Sequence, residues 1–299
     1  MPAQNFSTWL MAARPRTLPA AAAPVALGSA LATQAGRFDA GAAGLCLAFA
    51  LLTQVGANFA NDYFDHKKGA DTPGRLGPTR AVAAGLIAPA AMWHATLVVL
   101  ALAFVTGCGL IFYGGWGLLV LGVASLFAAV AYTGGPYPLG YLGLGDVGVF
   151  IFFGLVAVIG TFYVQAGWPP PSGAWAVAAG CGLLAANILV VNNVRDAATD
   201  GLAGKRTLVV RFGRLFAQWQ YMTSLVFAML TPIMLWREGY GSWVLIAAVP
   251  YPYGRWLAIK LGTLREGDGP GFNRLLAQTA MFLALWAGLL SAGLVLAKR

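Results

Sequence analysis

The segment NNVRDAATDGLAGKR, residues 192–206, sets Asn192, Asp196 and Asp200 four residues apart and follows them with Lys205 and Arg206. A helix carried through that spacing puts one amide and two carboxylates on a single face, one above the other. Carboxylates stacked so closely repel unless a cation lies between them. Hard oxygen donors of this kind suit Mg²⁺, which takes one or two protein carboxylates and completes its shell with water and substrate phosphates. The chemistry indicated is the binding of a diphosphate through a metal ion. A lone DxxxD after an apolar helix is more often a solvated helix end, but a second cluster weighs against that reading here. In ANFANDYFDHKKGADTPGR, residues 57–75, Asn61, Asp62, Asp65 and Asp71 also follow an apolar run and also precede basic residues. Six of the 10 acidic residues (Asp62, Asp65, Asp71, Asp146, Asp196 and Asp200) fall in three interhelical loops or the helix ends beside them.

These residues divide by role. Asn61, Asp65, Asp71, Asn192, Asp196 and Asp200 are the expected metal ligands. Asn61, Lys67, Arg75, Arg80, Asn192, Lys205 and Arg206 are expected to hold the diphosphate, the basic ones as counter-charges to phosphate oxygens, with Lys68 beside them. Asp71 lies six residues past Asp65 and beyond Gly69, so it has to reach the site from a bent or unwound segment. A third stretch, YTGGPYPLGYLGLGD at 132–146, is too rich in glycine for an ordinary helix. It offers Tyr132, Tyr137, Tyr141 and Asp146 to a cavity. A carboxylate at the mouth of an apolar span is costly to bury and marks a functional site.

The elements that position these groups are membrane helices. The chain of 299 residues is 59% hydrophobic and 10% charged, whereas soluble domains carry about 25% charge. Spans of about 20 residues predict about nine helices, near 17–36, 40–62, 87–112, 115–133, 145–165, 174–196, 213–235, 241–261 and 275–296, in one domain covering 1–299. The stretch MPAQNFSTWLMAARPRTLPA has no cleavable-signal pattern, and residues 5–16 read as a short amphipathic piece before Pro15 and Pro19. Cys46, Cys108 and Cys181 are isolated in apolar helices and read as small core residues, without disulfide or metal pairing.

The net charge of +9 is topological rather than a sign of nucleic acid. One side of the nine-span arrangement collects Arg14, Arg16, Lys67, Lys68, Arg75, Arg80, Arg195, Lys205, Arg206, Arg211, Arg214, Lys260, Arg265 and Arg274. The other keeps Arg37, Arg237, Lys298 and Arg299, and Arg255 falls inside a helix. The positive-inside rule makes the first side cytoplasmic, with the N-terminus and both aspartate clusters there. His94, Asn273 and Gln278 read as packing or interfacial groups.

NDYFD at 61–65 with Asp71, and NNVRDAATD at 192–200 followed by GKRTLVVRFG, resemble the two aspartate motifs of the UbiA superfamily of intramembrane aromatic prenyltransferases. AARPRTLPAAAAPV at 12–25, QVGANFANDYFDHKKGAD at 54–71, GPTRAVAAGLI at 77–87, YTGGPYPLGYLGLGD at 132–146 and FFGLVAVIGTFYVQ at 152–165 are similar to its MenA branch, the 1,4-dihydroxy-2-naphthoate polyprenyltransferases. The superfamily's NxxxDxxxD is matched by Asn61 and Asp65, but Gly69 takes the third position and the carboxylate comes at Asp71. That departure resembles the MenA branch. The resemblance implies an all-α bundle of nine helices around a central cavity with a cytosolic cap, in the bacterial inner membrane. It implies Mg²⁺ as cofactor, with polyprenyl diphosphate, 1,4-dihydroxy-2-naphthoate and membrane lipid as partners. Asp65, Asp196 and Asp200 are then the central catalytic carboxylates; Tyr132 and Asp146, from the 132–146 stretch, are the groups expected to orient or deprotonate the acceptor hydroxyl. Two alternatives remain: a branch with another acceptor or donor, such as 4-hydroxybenzoate or a phytyl group, and a transporter using intramembrane acids as ion sites.

Overall fold

The computed structural model describes residues 5–71 and 75–297, so Lys298 and Arg299 of the charge analysis and Pro73 of the first loop lie outside the described residues. Every regular element among them is helical. The amphipathic piece is α1 (Phe6–Ala13), which hands over through a 3-10 turn (Pro15–Thr17) to α2 (Leu18–Gln34). Then come α3 (Ala40–Lys67), α4 (Pro89–Gly114) and α5 (Gly117–Ala131). Next, α6 (Gly145–Val149) runs through a π-helical stretch (Phe150–Ile159) into α7 (Gly160–Ala166). The long α8 (Ser172–Leu202) and α9 (Leu208–Arg237) follow, then a 3-10 turn (Ser242–Ala248), α10 (Tyr251–Thr263) and α11 (Gly269–Leu296).

The helix starts are written in local chemistry. Asp39, Thr207 and Asp268 each accept a backbone N–H of the first turn, from Ala42, Val210 and Gly271, and so cap α3, α9 and α11. Pro89 and Pro270 occupy first-turn positions where no amide hydrogen is missed. Two of the four acidic residues outside the candidate site therefore serve as caps.

Each of the nine predicted spans falls on a helical segment, but five of them, α3, α4, α6–α7, α8 and α11, are long and apolar enough to cross a membrane. The predicted span 241–261 is broken, with the 3-10 turn and α10 meeting at Pro250. The predicted span 213–235 starts earlier, because α9 begins at Leu208 and kinks at Gly213, whose φ is 80°. Arg255 and His94 are exposed, which places Arg255 at a surface rather than in the interior.

α8 is the innermost helix. Of its most apolar stretch 72% is buried, against 17% for α3 and 22% for α4, whose outer faces meet surroundings that tolerate exposed leucine and valine. Its packing on the π-helical stretch depends on two glycines. A Cβ on Gly154 would lie 2.6 Å from the Ala178 carbonyl oxygen, and one on Gly182 would lie 2.6 Å from that of Phe150. These contacts are to backbone and cannot relax by a rotamer change. Gly182→Val is expected to cost about 2–3 kcal/mol of stability by forcing the helices apart, read as a lower thermal unfolding midpoint in detergent.

Candidate functional site

Both aspartate motifs lie at helix ends that the sequence extends past its apolar runs. α3 continues to Lys67, so Asn61 and Asp65 stay on one helical face, and α8 continues to Leu202, so Asn192, Asp196 and Asp200 do the same. Past α3 the chain turns at Gly69, with φ 67°, and brings Asp71 back toward Asp65.

The loop after Asp71 is fixed by Asp62, which is 1% exposed and accepts hydrogen bonds from the backbone N–H groups of Ala81 (3.0 Å) and Val82 (3.3 Å). Ala81, Val82 and Ile87 pack with Ala12, Phe59 and Met92 in a small apolar cluster under the loop. Asp62 was grouped with the site by sequence, but its carboxylate is spent on holding the loop in place.

Cations stand between the carboxylates. Asp65, 1% exposed, accepts from Arg80 (3.2 Å), the Tyr141 hydroxyl (3.0 Å) and Lys205 (3.4 Å). Lys205 also pairs with Asp200 at 3.5 Å, which ties the first motif to the second. Asp71 accepts from Arg75 at 2.8 Å and faces Arg80 at 3.5 Å, and Arg75 reaches Asp196 at 3.9 Å. Burial pushes the Asp71 carboxyl up to about 6 despite the Arg75 guanidinium beside it. Arg195 lies between the ligands of its own motif: it donates twice to Asp196 (2.8 and 2.7 Å), to the Asn192 side-chain oxygen, and to Asn273 of α11 (2.8 Å).

Of the expected diphosphate residues, Arg75, Arg80 and Lys205 face the carboxylates, while the Lys67 and Arg206 side chains are exposed. Among the described residues Lys67 reaches only the Tyr63 ring, at 5.9 Å. Its neighbour Lys68, also exposed, leans over the 132–146 loop, donating to the Thr133 carbonyl at 2.7 Å with its ammonium 4.5 Å from the Tyr141 ring centroid. Lys205 is 4.9 Å from the same ring. Tyr141 thus gathers two ammonium groups on its π system and gives its hydroxyl to Asp65. The backbone N–H of Arg206 bonds the Tyr141 carbonyl (2.8 Å), which stitches the 132–146 loop to the segment after α8.

Lys68 and Tyr141 were named from sequence without this contact to each other, and Arg195 and Asn273 were read only as a topology charge and a packing group, although the N-x-x-R-D spacing of Asn192, Arg195 and Asp196 already puts the guanidinium within reach of both neighbours. Asp146 is buried and accepts from Gln220 of α9 at 2.8 Å. It does not line either cavity described below, whereas Tyr132 does.

Two cavities adjoin the cluster. One, of about 280 Å³, runs into the bundle between α2, α3, α5 and the π-helical stretch; its walls include Phe49, Leu118, Phe152 and Val156, with Asn61 and Tyr132 at its polar end. The other, of about 460 Å³, is lined by Arg14, Arg75, Arg80, Arg195, Asn192 and Asp62 among others.

The donor set suits a hard divalent cation. The Asn61 side-chain oxygen and one Asp71 oxygen are buried with no hydrogen-bond partner among the described residues, acceptors of the kind Mg²⁺ takes. Among the described residues, however, no three acidic, His or Cys side chains converge as a ready-made metal cluster. Arg195 holds Asn192 and Asp196, and Lys205 holds Asp65 and Asp200.

Residues 21–286 match the UbiA prenyltransferase family. Across 93% of its length the chain is 36% identical to a 1,4-dihydroxy-2-naphthoate octaprenyltransferase of Escherichia coli (strain K12), covering 96% of that protein. It is also 36% identical to the protein of that name in Mycobacterium tuberculosis, over 95% of both chains. The fold is similar to that of a UbiA homolog from Archaeoglobus fulgidus bound to DMAPP and Mg²⁺, with TM-score 0.66 and 15% identity over 95% of this chain and 99% of that one. An apo UbiA homolog from Aeropyrum pernix K1 gives TM-score 0.69 at 18% identity over 93% and 97%. At these identities the structural likeness is one of fold. This chain, in which two aspartate-bearing helix ends converge at the mouth of an apolar cavity, belongs to the UbiA prenyltransferase family.

Proposed function

We propose that the chain, acting as one domain over residues 1–299, transfers a polyprenyl group from polyprenyl diphosphate to 1,4-dihydroxy-2-naphthoate, releasing diphosphate and CO₂ and giving demethylmenaquinol, the reduced form of demethylmenaquinone. The observation that carries this reading is the meeting of the carboxylate–arginine–lysine cluster with an apolar cavity at Asn61. A charged head and a long hydrocarbon tail are thereby served side by side. The relatives named for this reaction, matched over nearly their full length, support the same acceptor.

Asn61, Asp65, Asp71, Asn192, Asp196 and Asp200 would hold Mg²⁺, which supplies positive charge to the diphosphate when bound. Arg75, Arg80 and Lys205 add fixed positive charge where the leaving group gains an electron pair as the allylic C–O bond breaks. The apolar cavity keeps water from the resulting cation, and its aromatic walls offer π faces. The ring carbon bearing the carboxylate then forms the new C–C bond, and CO₂ leaves. Tyr132, at the polar end of the apolar cavity, is the group proposed to orient the acceptor hydroxyl, with Asp146 behind it. Unchanged turnover in Asp146→Asn would remove Asp146 from that role. Multi-pass insertion follows from the five long apolar helices and the family; the proposed orientation in the bacterial inner membrane puts the site and N-terminus on the cytoplasmic side.

The test of the acceptor is competition between 1,4-dihydroxy-2-naphthoate and 4-hydroxybenzoate, and of the donor between polyprenyl and phytyl diphosphate, with purified protein and Mg²⁺. Transfer to 4-hydroxybenzoate alone would keep the chemistry and overturn the acceptor. Tyr141 gives a further expectation. Tyr141→Leu, which releases Lys68, Lys205 and Asp65 together, should raise the donor KM about tenfold, whereas Tyr141→Phe keeps the ring and should raise it about threefold or less. Steady-state kinetics on both variants separates the two contributions.

A further inference from the structure

Arg14 is the only described non-glycine residue with positive φ, 52°. That left-handed backbone is disfavoured for a residue with a Cβ and persists where surroundings over-determine it, commonly at functional sites. Here the surroundings are plain. The Thr17 N–H and hydroxyl both donate to the Arg14 carbonyl, each at 2.9 Å. Asn58, buried inside α3, donates to the Ala13 carbonyl (2.9 Å) and to the Thr17 hydroxyl (3.1 Å), and Gln54 reaches the same hydroxyl at 3.3 Å. Three polar side chains thus hold the turn that carries Arg14.

The side chain belongs to the lining of the larger cavity. Its Nη2 is closed off from solvent and has no hydrogen-bond partner among the described residues. Asp62, the carboxylate whose charge most favours Arg14, already accepts two backbone N–H groups. The other buried or half-buried arginines of the cavity are committed elsewhere: Arg75 to Asp71, Arg80 to Asp65, and Arg195 to Asp196. Arg75 Nε and Arg80 Nε and Nη1 also lack a hydrogen-bond partner among the described residues, but of these four arginines Arg14 alone pairs with no described carboxylate. Gln54, Val149 and Phe153 line both cavities, so a group held by Arg14 lies next to the apolar cavity.

We propose that the Arg14 end of the larger cavity is the acceptor subsite and that Arg14 recognises the carboxylate of an aromatic acid bound there, which makes it a specificity residue of the reaction. The inference rests on the function proposed above. A planar guanidinium matches a carboxylate with two parallel hydrogen bonds, which an ammonium does not reproduce.

Arg14→Gly separates this role from a structural one, because glycine suits the left-handed backbone better than arginine does. The full-length variant, purified with Mg²⁺ and polyprenyl diphosphate, is expected to unfold at the same or a higher temperature. Its KM for 1,4-dihydroxy-2-naphthoate should rise about 10- to 100-fold, the usual weight of a charge-assisted hydrogen bond, while its donor KM stays within about twofold. In competition, the wild-type preference for the naphthoate over 1,4-dihydroxynaphthalene should disappear, and Arg14→Lys should restore part of it. An unchanged acceptor KM, or a donor KM that rises as much as the acceptor's, would overturn the assignment. Wild-type protein that prenylates no dihydroxynaphthoate would overturn the function beneath it as well.

Discussion

Asp65→Asn should lower kcat/KM by about a thousandfold, the scale at which removal of a preorganised electrostatic group acts on the transition state. The substitution keeps shape and deletes charge at the carboxylate that Arg80, Lys205 and Tyr141 all address. Its cost has two parts. The site loses an oxygen proposed to hold the cation that would neutralise diphosphate. The fold loses the partner of two cations at a position 1% exposed, and breaking a buried pair from one side costs about 3–5 kcal/mol. Arg80 keeps Asp71 and Lys205 keeps Asp200, so the stability loss should lie at the lower end of that range. Kinetics over a Mg²⁺ series, corrected for the folded fraction, checks the first part. Recovery of wild-type turnover at high Mg²⁺ would show that Asp65 only tunes cation affinity.

The second large effect concerns the tail. Gly122 faces the apolar cavity, and the nearest atom to a Cβ built there is a ring carbon of Phe49 at 3.9 Å, so a larger side chain enters free space rather than backbone. Gly122→Phe should therefore fold and still lose transfer from a long polyprenyl donor by about 100-fold, the upper end of what overpacking costs. Transfer from dimethylallyl diphosphate, whose tail is short, should survive. Measuring both donors on one preparation supplies the control. Equal losses on the two would mean that the cavity does not hold the tail.

Much of the site was legible in the sequence because helical spacing is a strong constraint. Asn61 with Asp65, and Asn192 with Asp196 and Asp200, could be set on common faces from their four-residue intervals. The apolar runs located nine helical segments, since hydropathy reports burial away from water whether in lipid or protein. For the same reason it cannot tell a bilayer-spanning helix from a shorter one, and among the described residues five helices have the length and composition to cross. What escaped depended on direction. Lys67 and Lys68 are neighbours, and one faces outward while the other lies over Tyr141; no count of charges decides between them. Asp62 and Asp65 are three apart, yet one fixes backbone N–H groups and the other meets cations, because the loop at 80–87 folds over the first. Arg195 looked like a topology anchor and is instead bound to both polar residues of its own motif.

The most direct measurement is product analysis by mass spectrometry, with the wild-type protein in detergent, polyprenyl diphosphate and 1,4-dihydroxy-2-naphthoate, with and without Mg²⁺, beside Asp196→Ala. The account predicts a prenylated naphthalenediol lacking the carboxylate, or the naphthoquinone that air oxidises it to, formed with Mg²⁺ and absent both without it and in the variant. Folded wild-type protein that binds the diphosphate and transfers nothing to any aromatic acceptor would contradict it.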